Sequence, residues 1–191
     1  IEKENIDIEE LNLVTSEAVP DDANCLMIDG PQKDITADEK DRILDYMEKG
    51  GHVLIFTDYT ETDMPNMAEL LNNYGLSTSA GLIFEGNSQH YYPGYPSYLI
   101  PRIQSADAVG SMTSKDLVLM PYAQNINISD DVRSTVSAQP ILQTSSKSYI
   151  KTDLKNLTTT EKASGDEEGP FTTGVAVTEN YNDVETKLVY F

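Results

Sequence analysis

Apolar positions are most regularly spaced between Ala23 and Asp58, and that stretch predicts strand, loop, helix and strand. Cys25-Leu26-Met27-Ile28 is a short unbroken apolar run, the pattern of a strand buried on both faces. Asp29-Gly30-Pro31 stops it, because proline cannot donate to a ladder and glycine permits a sharp exit. Thr36 and Glu39 then stand at capping-box spacing, each able to satisfy the other's backbone amide. Ile43, Leu44 and Met47 fall on one helix face with Tyr46 at its margin, and charged residues cover the rest. Lys49 suits the C-terminal dipole and Gly50 the left-handed residue that ends a helix. Val53-Leu54-Ile55-Phe56 is a second buried run. Two such strands joined by one amphipathic helix predict a right-handed βαβ unit with parallel strands.

The flanking pattern is weaker. Ile6, Ile8, Leu11 and Leu13 nearly alternate, which predicts an edge strand before the turn at Pro20-Asp21-Asp22. Pro65 opens a second helix carrying Met67, Leu70, Leu71 and Tyr74, and Gly75 closes it. Leu76 to Phe84 predicts a strand or two short ones broken at Gly81. Residues 85–101 are rich in turn formers and tyrosine and predict a long ordered loop. Leu117 to Met120 reads as a buried strand closed by Pro121, and Pro140 to Thr144 as another. Residues 158–170 are poor in apolar side chains and read as mobile. Thr173–Glu179 and Glu185–Phe191 predict a hairpin turning at Asn180-Tyr181-Asn182-Asp183. The whole predicts a parallel-cored α/β sheet with helices on both faces and an antiparallel hairpin at its C-terminal edge.

Length and charge narrow the setting. The 191 residues suffice for a single domain spanning 1–191. Ile1 is not Met and Phe191 stands inside an apolar run, so a piece of a longer protein is expected. No apolar run approaches the ~20 residues of a membrane span, which leaves any anchor outside this piece. The net charge of −19 repels nucleic acid and anionic headgroups and argues against both as partners.

Several segments, in order, carry a family resemblance. They are Val19-Pro20-Asp21-Asp22-Ala23 running into Met27-Ile28-Asp29-Gly30-Pro31, then Lys49-Gly50-Gly51-His52-Val53-Leu54-Ile55-Phe56. Leu70-Leu71-Asn72-Asn73-Tyr74-Gly75-Leu76, Gln139-Pro140-Ile141-Leu142-Gln143-Thr144-Ser145, Gly169-Pro170-Phe171 and Val175-Ala176-Val177 follow. The chain resembles the extracytoplasmic domain of GldG-like proteins, auxiliary components of ABC-type transport systems linked to gliding motility. The resemblance implies a three-layer α/β domain, flavodoxin-like or class I glutamine-amidotransferase-like. It also implies a bacterial protein held on the extracytoplasmic face by transmembrane helices outside residues 1–191, beside permease and ATPase subunits.

Candidate chemistry is sparse. An amidotransferase needs Cys or Ser on a strained elbow with His behind it, whereas the strand at Val53–Phe56 runs into Thr57-Asp58-Tyr59. Cys25 reads as a buried structural residue. His52 and His90 lack metal-ligand spacing, Asp58, Glu61 and Asp63 lack the calcium-loop pattern, and no phosphate loop occurs. No cofactor or metal is therefore expected. Parallel sheets bind ligands past the carboxyl ends of their strands, which points to Asp29, Gly30, Asp58 and Tyr59. His90, Tyr91, Tyr92, Tyr95 and Tyr98 form a segment stiffened by Pro93 and Pro96, which either packs its own aromatics over the sheet edge or stacks on a saccharide, a peptide or a partner protein. With the missing nucleophile elbow, the resemblance implies a non-enzymatic extracytoplasmic recognition or assembly domain of an ABC-type transport system. The alternatives are a hydrolase acting on a saccharide or amide, using Asp29 or Asp58 with His90, and a structural spacer.

Overall fold

The computed structural model describes residues 6–113 and 115–191. Its elements are β1 (Leu26–Asp29), α1 (Ala37–Glu48), β2 (Val53–Phe56), α2 (Pro65–Asn72), β3 (Leu76–Thr78), β4 (Leu82–Phe84), β5 (Tyr91–Tyr92) and β6 (Tyr95–Leu99). There follow β7 (Arg102–Ile103), β8 (Met120–Pro121), β9 (Ile126–Ile128), β10 (Val136–Gln143), β11 (Tyr149–Lys151), β12 (Glu167–Glu168), β13 (Thr172–Tyr181) and β14 (Val184–Tyr190).

The βαβ unit forms as patterned. Thr36 accepts from the Glu39 amide at 3.2 Å, and the Glu39 carboxylate accepts from the Thr36 amide at 2.8 Å, closing the capping box. Gly50 takes φ +93°, the left-handed exit. β1 and β2 then pair in parallel, Leu26 opposite Val53 through Asp29 opposite Phe56. α2 starts with Pro65 at its first position and buries Met67, Leu70 and Leu71.

The sheet built on this unit corrects the expected fold class. Its order is β1-β2-β14-β13-β10-β7, and β14 lies parallel to β2 while β13, β10 and β7 run antiparallel to their neighbours. The terminal hairpin therefore sits inside the sheet and not at its edge. Three smaller sheets complete the described residues, β12-β11-β4, β3-β9 and β5-β6-β8. The chain is mostly β, with 31% strand against 12% helix, and is not a three-layer, mostly parallel, flavodoxin-like or amidotransferase-like domain. The physical reason is that α1 makes the lone βαβ crossover among the described elements: β1–β2 and β2–β14 pair in parallel, and every other pairing among them is antiparallel.

Both helices pack on one face. Val53 and Ile55 of β2, Val175 and Val177 of β13 and Leu188 and Tyr190 of β14 alternate onto that face and form one core with Ile43, Met47, Leu70 and Leu71. The residues between them, Leu54 and Val189, lie on the opposite face beside Met27 and stay partly exposed. A third layer of helix, expected on that face, is not present among the described residues. β1 is accordingly a half-buried edge strand, and Cys25 stands exposed just before it and not within a buried strand.

Other expectations fail where apolar runs meet no partner. Ile6 to Leu13 forms no strand; Leu11 and Leu13 instead pack directly on the core. Leu117 and Leu119 are 79% and 50% exposed, and only Met120-Pro121 pairs with a neighbour. Residues 158–170 include β12, which pairs with β11, and Asp166, which accepts from Lys151 at 2.9 Å. Residues 85–101 are no plain loop but hold the hairpin β5–β6, turning through Gly94 at φ +88°.

Candidate functional site

The carboxyl ends of the three parallel strands open into a cavity of about 430 Å³. Asp29 ends β1, Asp58 follows β2 by two residues, and Tyr190 and Phe191 close β14. Phe56 and Phe191 stack with ring centroids 5.1 Å apart and make one wall. The segment from Val118 to Gln124, which carries β8, lines the cavity as well. Val118, Leu119 and Met120 of the expected Leu117–Met120 strand thus line the cavity, and Leu117 does not.

Gly30 does not line the cavity but shapes its rim. It adopts φ +54°, a left-handed conformation that favours glycine, and a Cβ there would stand 3.2 Å from Asp58 Oδ2, so the two strand exits lie side by side. Asp29 and Asp58 are exposed, and their carboxylates accept no hydrogen bond or ion pair from the described residues. Among the described lining side chains there is no Lys, Arg, His or Cys. Tyr59 faces elsewhere, packed on Leu82, Phe84 and Tyr149.

Polar groups inside are hydroxyls. Thr57 Oγ1 and the Tyr190 hydroxyl share a hydrogen bond at 2.9 Å, and burial pushes the Tyr190 phenol up. Thr173, at the start of β13, is 1% exposed and its Oγ1 has no hydrogen-bond partner. A buried hydroxyl left unpaired costs free energy.

The tyrosine segment reaches the same opening. Tyr92, Tyr95 and Tyr98 form a ladder at 6.0 Å and 5.2 Å between centroids, and Tyr98 meets Tyr122 edge-on at 5.3 Å. Tyr122, in turn, lines the cavity. The ladder exists because β6 pairs with β8, Tyr98 opposite Pro121, which brings residue 122 under the hairpin. Tyr92, Tyr95 and Tyr122 each expose about half of their area, 51%, 54% and 51%. A hydrogen bond to Tyr122 raises the Tyr98 phenol above its ordinary value. Tyr91 is half-buried beside them.

His90 is not part of this surface. Its Nε2 accepts from the Arg102 guanidinium at 3.3 Å, which places the ring proton on Nδ1, 3.2 Å from the Ile100 carbonyl. The structure therefore does not join His90 to Asp29 or Asp58 as a catalytic pair would require. Thr57, Tyr122, Thr173, Tyr190 and Phe191 escaped the sequence reading. Tyr122 had a signal, as a further tyrosine beside a proline. Thr173 had none, since a threonine opening a strand is ordinary.

No group of three or more His, Cys, Asp or Glu converges among the described residues, and no described helix is long and apolar enough to cross a membrane. A solved structure titled "mmIFT52 N-terminal domain" is similar in fold, with a TM-score of 0.58 at 15% identity. The match covers 88% of this chain and 64% of that one, so the chain spans just under two-thirds of that domain's length. Among curated proteins no sequence matches. The family model described as an "ABC-type uncharacterized transport system" matches residues 2–186, and the chain thus belongs to this family of ABC-transport auxiliary proteins, in keeping with its GldG-like segments.

Proposed function

We propose that this chain is the recognition or assembly domain of an ABC-type transport system, non-enzymatic and displayed on the extracytoplasmic face of the membrane. In this reading, transmembrane helices elsewhere in the protein anchor it beside the permease and ATPase subunits. The observation that carries it is the aromatic ladder from Tyr92 to Tyr122, continuous with the strand-end cavity. Stacked, half-exposed tyrosines present large rigid area at small entropic cost, as recognition surfaces do. A saccharide or a peptide segment can lie along such rings with one group in the cavity. Family membership supports the transport setting. The absence of a paired nucleophile and base in the cavity lining, among the described residues, supports a binding role.

The test is co-purification of the full-length protein with the permease and ATPase of the same system. Tyr92→Ala and Tyr95→Ala should each weaken association by about 2 kcal/mol while leaving the melting temperature nearly unchanged. Lowered melting temperatures with intact association would instead make the ladder internal packing.

A further inference from the structure

We infer that the outer edge of β1 takes a strand from a partner protein, an extended segment with an apolar side chain flanked by Lys or Arg. This surface is separate from the tyrosine ladder and does not rest on the recognition reading above.

Hydrogen bonding fixes which backbone groups of β1 are free. The Leu26 amide donates to the His52 carbonyl at 2.8 Å, and the Gly30 amide to the Phe56 carbonyl at 3.0 Å. With the two strands parallel and Leu26 opposite Val53, residues 26, 28 and 30 turn their backbone toward β2. Met27 and Asp29 therefore turn theirs outward, where no described residue bonds to them. Such a row of alternating donors and acceptors matches the one that another strand carries. The opposite edge of the sheet is blunted, because β7 is two residues long and follows Pro101, which has no N–H.

Side chains beside the edge are open as well. Met27 is 44% exposed and stands in line with Leu54 and Val189 on the face without a helix. Leu26 and Ile28, on the helix side, stay partly exposed although they pack on the core. An added strand would cover these side chains from the edge, and its residue opposite Met27 would extend the apolar row. Charge then selects the occupant. Asp21 and Asp22 precede β1 and Asp29 ends it, all exposed, on a chain of net charge −19. A second copy would bring an equal negative charge to the same edge, whereas a Lys or Arg two residues from the apolar one would stand opposite Asp29.

The test is an NMR titration of the ¹⁵N-labelled protein with acetyl-lysyl-valyl-leucyl-valyl-threonyl-lysine amide. Laid antiparallel with its leucine opposite Met27, this peptide sets its first lysine opposite Asp29. It should saturably shift the Met27 and Asp29 amides and slow their hydrogen exchange, while the Leu26 and Ile28 amides, which face β2, change less. N-methylation of the leucine removes the N–H that faces Met27 and should weaken binding about tenfold. N-methylation of the next valine, whose N–H points away, should leave binding within about twofold. Glutamate in place of both lysines should cost about tenfold, and Asp29→Asn in the protein about threefold with the parent peptide. Equal losses from the two N-methyl groups, or shifts confined to other residues, would overturn the inference. Glutamate and lysine peptides that bind alike would overturn it too, since charge would then not select the occupant. So would Met27 and Asp29 amides that shift with protein concentration alone, which would make a second copy the occupant.

Discussion

Asp34 ties together the two loops that carry the rim carboxylates, and its removal should loosen both. The N-cap residue of α2, Met64, offers no side-chain cap, and Pro65 has no N–H to satisfy. The next two amides, of Asn66 and Met67, donate to Asp34 Oδ2 and Oδ1, each at 3.0 Å, and Asn66 Nδ2 donates to Oδ2 at 2.7 Å. One carboxylate thus caps a helix from the loop after Gly30, while that helix follows the loop carrying Asp58. A single cap is worth about 1 kcal/mol, and two charge-assisted amide bonds raise the expected loss in Asp34→Ala to about 2 kcal/mol. With a urea m-value of about 2 kcal/mol/M the midpoint should fall by about 1 M at neutral pH. The contribution should also be pH-dependent. Burial alone would raise the Asp34 carboxyl, but the Asn66 and Met67 amides outweigh it and lower its pKa. A depressed folded pKa means stability that is full above the unfolded value of about 3.9 and is lost as pH falls through that value toward the folded one. The gap between parent and Asp34→Ala should therefore narrow in acid. Asp130→Ala, at an exposed position, should change stability by less than about 0.5 kcal/mol. An unchanged midpoint in Asp34→Ala, or a gap equally wide at pH 7 and in acid, would refute the capping argument.

Three further outcomes follow from local geometry. Gly81→Ala should destabilise by more than about 2 kcal/mol in the same urea assay, because φ is +91° and a Cβ would lie 2.3 Å from the Lys151 carbonyl oxygen. Lys151→Met should cost about 1 kcal/mol by removing one of the two groups, the Ala163 amide and the Lys151 ammonium, that hold the Asp166 carboxyl low, and adding Asp166→Leu should restore part of the loss. Asp183→Gly should stabilise by about 0.5 to 1 kcal/mol, read as a rise in melting temperature, because Asp183 holds φ +64° in the turn of the final hairpin, where glycine carries no steric penalty.

Local signals were legible in the sequence and long-range pairings were not. Thr36 and Glu39 announced α1, Pro65 announced α2, and Asn182-Asp183, both at positive φ, announced the final turn. Asp29 and Asp58 were placed at strand ends by the βαβ pattern, and that is where they stand. What failed needed knowledge of who pairs with whom. An apolar run at residues 185–191 cannot say that it will lie parallel to β2, and that single pairing moved the hairpin from the edge to the interior. Leu117 to Met120 has the composition of a core strand, yet most of it finds no neighbour. Tyr122 and Thr173 join the site only because β6 meets β8 and β13 meets β14, contacts between segments far apart from the strand ends in sequence. The same holds for Asp34, whose partners lie beyond the whole of α1 and β2.

The claim that the strand-end surface is the recognition face is tested most directly by site-specific photo-crosslinking in cells that express the full-length protein with its transport system. A benzoylphenylalanine at Tyr95 reports on the ladder, and one at Gln139 reports on a surface position of β10 away from the cavity. The account predicts crosslinks from position 95 to the permease or another identified component of the system, and none from position 139. Crosslinks to those components from position 139 alone would contradict it.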